Sequence, residues 1–210
     1  MSRGLFITFE GPEGGGKTTQ IHRLVDSLRS QGRDVLPLRE PGGTTIGEKI
    51  RALLLDLAES PMQIETEALL FLAARRELVQ DRILPALQAG RIVICDRFAD
   101  ATLAYQGYGR GMDLAALKAL NAFATVGLQP DLTLLLDLPV ESGLQRRKMD
   151  PADWNRFDAA SLAFHQQVRQ GYLALAGAEP GRWRVIDAAR AADVVAVDVW
   201  RAVGEVLAVI

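Results

Sequence analysis

Leu5-Phe6-Ile7-Thr8-Phe9-Glu10-Gly11-Pro12-Glu13-Gly14-Gly15-Gly16-Lys17-Thr18-Thr19 is the stretch whose reading decides the fold. It opens as an apolar run of strand length. Gly11 through Thr18 then fits G-x-x-x-x-G-K-[ST], and Lys17–Ser30 continues as an amphipathic helix that stops before Gly32. Glycines let the backbone wrap an anion closely, with N–H groups pointing inward. The helix N-terminus adds partial positive charge. In such a loop the lysine, here Lys17, reaches the terminal phosphates of a nucleotide. The Thr18 hydroxyl is placed to ligate Mg²⁺. The bland alternative is a glycine-rich strand-to-helix turn with a chance lysine. The motif alone does not choose between kinase, GTPase and ATPase. Glu13 is an odd passenger in an anion-binding loop. It is either a solvated charge or a carboxylate turned toward hydroxyls of a second substrate.

Outward from this loop the chain alternates. Apolar runs at Leu5–Phe9, Arg91–Cys95, Leu132–Leu136 and Trp183–Ile186, with a weaker one at Val35–Leu38, read as buried strands. Helical patterns cover Ile46–Leu57, Glu65–Gln88, Leu114–Thr125, Val140–Lys148, Ala159–Ala176 and Ala191–Val209. Pro85 is expected to bend the last turns of the longest. Strands alternating with helices predict βαβ units, a parallel sheet and one α/β domain over residues 1–210. The ligand crevice of such a sheet lies beyond the carboxyl ends of its strands.

The 24 basic and 26 acidic residues leave a net charge of −2, so no overall basic field points to nucleic acid or a membrane surface. Cys95 is the only cysteine, which excludes an internal disulfide and suits a buried thiol. No apolar stretch approaches the ~20 residues of a membrane span. The N-terminal run is too short for a secretory signal. A cytoplasmic location is the expectation.

Several segments should meet at the crevice. Asp96-Arg97 follows the strand Arg91–Cys95. An acid there can sit beside the phosphate loop and help hold Mg²⁺, and an arginine offers a bidentate fork for a phosphate. The two could instead form an internal pair. Arg39-Glu40-Pro41-Gly42-Gly43-Thr44 follows the second strand and brings another arginine, or is only a turn with a surface charge. Phe71 and Arg75 share a helix face four residues apart. By pattern alone they are core and solvated charge. As a site they are a stacking surface and a donor for a base carbonyl. Thr102, Tyr105 and Gln106 follow soon after, and Thr102 and Gln106 can both donate and accept. Residues 143–157 carry Arg146, Arg147, Lys148 and Arg156 around Asp150-Pro151, a solvated loop or a lid that brings cations to a transferring phosphoryl group.

Together these residues resemble thymidylate kinases of the bacterial type. The likeness runs from Leu5 to about Asp187. It rests on the loop Glu10–Thr19, on Arg39–Thr44, on Phe71 through Arg75, and on Asp96-Arg97-Phe98 through Tyr105-Gln106-Gly107. The order of those motifs is far more specific than the phosphate loop alone. The resemblance implies a P-loop NTPase fold, with a five-stranded parallel sheet flanked by helices and a short lid, and a homodimer. ATP would lie on Gly11, Pro12, Glu13, Gly14, Gly15, Gly16, Lys17, Thr18 and Thr19 with Mg²⁺ on Thr18 and Asp96. The acceptor would be thymidine monophosphate (dTMP). Glu13 would meet its 3′-hydroxyl, Phe71 its ring and Arg75 its O4. Thr102 and Gln106 would meet the base edge, Tyr105 the ribose 2′ position, and Arg97 with Arg39 the phosphate. Lys17, Arg97, Arg146 and Arg156 are the expected catalytic cations.

The chain departs from the family pattern in places. Gly14 stands where one type has an arginine, which puts it in the type whose lid supplies the cations. Asp150-Pro151 replaces an arginine-glycine pair in a lid one residue longer, and Asn155 replaces an aspartate. Ala101 stands for a common serine. Tyr108 stands for a common glycine and is expected to reshape the mouth of the acceptor pocket. The rival readings are a kinase of another nucleoside monophosphate and a nucleotide switch. The switch would need a guanine-reading Asn-Lys-x-Asp segment, and none occurs.

Overall fold

A computed structural model describes residues 3–57, 62–149 and 154–208. Five strands, β1 (Phe6–Glu10), β2 (Val35–Arg39), β3 (Ile92–Asp96), β4 (Leu132–Asp137) and β5 (Trp183–Asp187), form one sheet in the order β2-β3-β1-β4-β5. All neighbours run parallel. From β1 the chain builds β2 and β3 on one side, then β4 and β5 on the other. The order therefore reverses beside β1, and the crevice opens at its carboxyl end.

Alternation along each strand divides the core. Ile7, Phe9, Ile94, Leu134 and Leu136 pack against α1 (Lys17–Ser30) and α9 (Ala192–Leu207). On the opposite face Phe6, Val93 and Cys95 meet Leu78, Val79, Ile83, Leu87 and Phe98. A third cluster joins Leu135 to Phe164, Val168, Tyr172 and Leu175 of α8 (Leu162–Ala178). The interior is apolar on both faces, as a parallel sheet requires. Cys95 is buried and unpaired, as expected. No helix among the described residues is long and apolar enough to cross a membrane.

The other helices are α2 (Thr45–Leu55), α3 (Ile64–Leu78), α4 (Leu84–Gln88), α5 (Ala99–Thr102), α6 (Leu114–Thr125) and α7 (Val140–Met149). The single long helix expected over 65–88 is three pieces. A π-helical turn at Val79–Ile83 separates α3 from α4, and the Leu84 N–H closes on Val79 O. Pro85 explains the break. It has no N–H to give the carbonyl four residues back, and its ring crowds that carbonyl. A second π segment, Leu103–Gly109, continues from α5, so the helical turn expected to carry Thr102 and Gln106 is present but wound as a π-helix. Asp150-Pro151, at the centre of the expected lid, and Val209 lie outside the described residues.

Candidate active site

The carboxyl ends of β1, β2 and β3 open into a cleft of about 900 Å³. At its centre is the glycine-rich loop. Gly11 leaves β1 at φ 135°, and a Cβ there would fall 2.4 Å from Leu136 O, so only glycine lets the loop turn against β4. Gly16 caps α1 at φ 79° with no side-chain acceptor, so the first N–H groups of the helix face the cleft unsatisfied. Lys17 lies folded across the loop, its Nζ donating to Gly11 O (3.2 Å) and Pro12 O (3.0 Å). Burial, and then the nearby Arg97 charge, lower its pKa.

Arg97 ends β3 in the left-handed region, φ 67°, where a residue with a Cβ is strained. It is tied down on several sides. Nη1 donates to Gly11 O (3.0 Å) and Tyr172 Oη (3.0 Å), and Nη2 donates to Glu13 Oε1 (2.8 Å). The guanidinium also lies over the Tyr105 ring, 4.8 Å from its centroid. Nε–H and one Nη2–H keep no acceptor among the described residues, and a phosphate can take both. Glu13 also accepts the Tyr105 hydroxyl at 2.7 Å. Burial alone would raise the Glu13 carboxyl, but Arg97, then Lys17 and Tyr105, bring it down to about 2. Glu13 therefore stays charged inside an anion-binding loop because Arg97 balances it. Behind this pair Tyr172 donates to Glu10 Oε2 (2.7 Å), and Phe98 N–H donates to Glu10 Oε1 (2.8 Å). Burial, then Asp100, push Glu10 up to about 8. Tyr172 carried no signal in the sequence, since its partners Arg97 and Glu10 lie 75 and 162 positions away.

At the mouth of the loop Thr18 Oγ1 donates to Asp96 Oδ2 across 3.4 Å. A hydroxyl and a carboxylate side by side form an all-oxygen pair that suits a hard cation. No group of three or more His, Cys, Asp or Glu among the described residues could hold a metal unaided. Mg²⁺ characteristically takes one or two protein oxygens and completes its shell with water and substrate phosphates, so Thr18 and Asp96 are the residues that could hold it.

The far end of the cleft, beneath α3 and α5, is lined by Leu55, Phe71, Ala101, Thr102, Gln106 and Phe157. Phe71 faces Phe157 with ring centroids 5.7 Å apart. Arg75 is 1% exposed. Its N–H groups run to Glu40 Oε2 (2.8 and 2.6 Å), Thr102 Oγ1 (2.9 Å), Asn121 Oδ1 (2.7 Å) and Phe98 O (2.9 Å). All five guanidinium donors are thus committed to the interior. Arg75 does line the cleft, as expected, but in this arrangement Glu40, Thr102, Asn121 and Phe98 hold all five of its N–H groups. Arg39 stands on the rim and pairs with Glu48 at 2.9 Å. At the opposite end Gln20, Ala188, Arg190, Ala192 and Val195 line the cleft, so the segment after β5 does border it.

The expected lid arginines separate. Arg146 reaches back to Ala188 O (3.1 Å) and Gly14 O (3.4 Å), over the phosphate loop. It can do so because the start of α7 packs backbone to backbone on the loop. A Cβ at Gly14 would fall 2.1 Å from Gly143 O, and one at Gly143 would fall 2.2 Å from Glu13 O. The same contact leaves no room for an arginine at position 14. Arg156 points elsewhere. Its Nε donates to Leu54 O (3.1 Å), and its Nη2 pairs with the buried Glu67 at 2.8 Å. The structure therefore groups Arg156 with the base end of the cleft, in correction of the pairing with Arg146. Arg147 and Asn155 line the cleft and both bond Asp158. Tyr108 is also corrected. It packs on Gly171 of α8, where a Cβ would meet its ring at 2.7 Å, and is absent from the cleft lining.

A family model described as Thymidylate kinase matches residues 9–199. The chain belongs to the thymidylate kinase family. The Thermomicrobium roseum thymidylate kinase is 56% identical over 202 residues, covering 96% of this chain and 95% of its own. The Deinococcus radiodurans thymidylate kinase is 50% identical over 209 residues, 98% of each. The crystal structure of the Ehrlichia chaffeensis thymidylate kinase superposes with a TM-score of 0.77 at 35% identity, over 95% of this chain and 98% of that one. The thymidylate kinase fold is thus shared over 95% of this chain, and the loop, Arg39, Phe71, Arg97, Thr102 and Gln106 of the cleft lie on the segments that carried the resemblance.

Proposed function

We propose that this kinase moves the γ-phosphoryl group of ATP onto dTMP, giving dTDP and ADP. The observation that carries the reading is one continuous cleft with an open phosphate loop at its centre and an aromatic-lined end formed by Phe71, Tyr105 and Phe157. The loop residues Gly11 to Thr19 hold the ATP phosphates, and Lys17 leaves its backbone carbonyls to meet the β- and γ-oxygens. Arg97 offers its two open N–H groups to the acceptor phosphate, with Arg39 at the rim. Glu13 turns toward the sugar hydroxyl, and Tyr105 beside it crowds the 2′ position. Phe71 stacks on the base, and Arg75 holds the floor on which Thr102 and Gln106 meet the base edge. Arg146 neutralises charge from above the loop, and Arg156 steadies the base end of the same segment. Mg²⁺ held by Thr18 and Asp96 would supply further charge neutralisation at the ATP phosphates.

The phosphate oxygen of dTMP is already anionic near neutrality, so no strong general base is needed. Catalysis is then positioning plus charge stabilisation. Residues around 143–157 serve as the lid of this single domain. The working unit is a homodimer. Ile46 and Leu53 of α2, Leu69 of α3, and Leu120 and Phe123 of α6 are exposed apolar side chains, and these three helices pack side by side.

The reading makes the Phe71 pocket the acceptor site. Phe71→Ala should raise the dTMP KM about tenfold, since base–aromatic stacking contributes ~1–3 kcal/mol. The KM for ATP and kcat should change little. Steady-state kinetics decide it, and an unchanged dTMP KM returns Phe71 to a packing role.

A further inference from the structure

Glu67, Phe71 and Arg75 lie four residues apart on one stripe of α3. The Glu67 side chain is 1% exposed, yet it is surrounded by donors. Gln106 Nε2 donates to its Oε1 at 2.9 Å, which the Arg110 Nε–H also approaches at 3.4 Å, and Arg156 (2.8 Å) and Arg110 Nη2 (3.3 Å) pair with its Oε2. A carboxylate can only accept, so Gln106 must turn its amide nitrogen inward. Its Oε1 has no partner among the described residues, and Gln106 lines the cleft. The neighbouring Thr102 is polarised in the opposite sense. Its Oγ1 accepts from Arg75 Nη1 at 2.9 Å, which leaves its hydroxyl hydrogen to be given.

We infer that Glu67 is a positioning residue for base selection, fixing Gln106 as an acceptor beside a Thr102 that Arg75 fixes as a donor. This deepens the proposed function and rests on it. The donor–acceptor pair complements an edge with a carbonyl next to a ring N–H, which thymine and uracil share. Cytosine presents an amino group and an unprotonated ring nitrogen at the same places, so both contacts become like-to-like. The selectivity of the pocket is therefore set by two buried charges, Glu67 behind Gln106 and Arg75 behind Thr102.

The test is Glu67→Gln. Arg156 (2.8 Å) and Arg110 Nη2 (3.3 Å) face the Oε2 position, against only the longer 3.4 Å contact of Arg110 Nε at Oε1, so the cations draw the single remaining oxygen to the Oε2 side. The new amide N–H₂ then meets Gln106, which turns its own Oε1 inward and shows an N–H to the cleft. The ratio of kcat/KM for dTMP to that for dCMP should fall about tenfold or more. The ratio for dTMP to dUMP should stay within about twofold, because both carry the same edge. Loosened packing alone would lower all three together and leave both ratios in place. A folded E67Q enzyme that keeps the wild-type dTMP:dCMP ratio overturns the inference. If E67Q does not fold, Gln106→Leu carries the question, since removing the acceptor oxygen should cut dTMP and dUMP alike and narrow the gap to dCMP. An unchanged gap there overturns it as well. A wild-type enzyme with no preference for dTMP over dCMP contradicts the underlying reading too, whereas a preference that E67Q retains contradicts the inference alone.

Discussion

Lys17→Ala is expected to lower kcat about a hundred- to a thousand-fold, the usual cost of removing one aimed charge-stabilising donor. Lys17 is the loop's only cationic side chain, and its Nζ now rests on Gly11 O and Pro12 O. Those carbonyls are weak partners for an ammonium group, so a phosphate oxygen should displace them readily. The fold should survive. The loop is fixed by Gly11 against β4 and Gly14 against α7, and neither contact involves Lys17. Thermal unfolding should therefore move by only a few degrees. Turnover within about threefold of wild type, set against the loss one such donor causes elsewhere, would remove Lys17 from the chemistry.

Arg97→Ala should lower kcat/KM for dTMP about a hundredfold and leave the KM for ATP nearly unchanged. Hydrogen bonds to charged groups contribute ~1.5–3 kcal/mol each, and Arg97 has two N–H groups open for a phosphate. Arg97→Lys separates charge from shape. A lysine keeps the charge beside Glu13 but loses the planar fork, so it should recover less than a tenth of the wild-type value. Full recovery by lysine would mean that Arg97 serves only as a counter-ion to Glu13. Equal losses for both substrates would mean that it serves only to hold the loop.

The sheet was legible because its strands are short apolar runs that end in a polar residue, and the phosphate loop because its spacing is rigid. The end points of α1 also matched their signals, since Lys17 opens the helix and Gly32 follows its close. What could not be read depends on contacts far apart in the chain. Arg75 looked like a free donor until Glu40, 35 positions away, and Asn121, 46 away, took its N–H groups. Arg156 looked like a partner of Arg146 because both are lid cations. Glu67 claims it instead, and nothing near Arg156 in the sequence says so. Glu67 itself left a trace, the four-residue spacing it shares with Phe71 and Arg75, but a glutamate at that spacing ordinarily faces water. The π turn at Val79–Ile83 is half legible. Pro85 announces a break, though not that one extra residue per turn will absorb it.

The most direct test of the central claim is ADP release from Mg²⁺–ATP with each of dTMP, dCMP, AMP and GMP as the only acceptor, alongside a reaction with none. The account predicts rapid, acceptor-dependent release with dTMP, far slower release with the other three, and almost none without an acceptor. Comparable or faster release with another nucleotide would contradict the base pocket, and equal release with no acceptor would contradict the transfer itself.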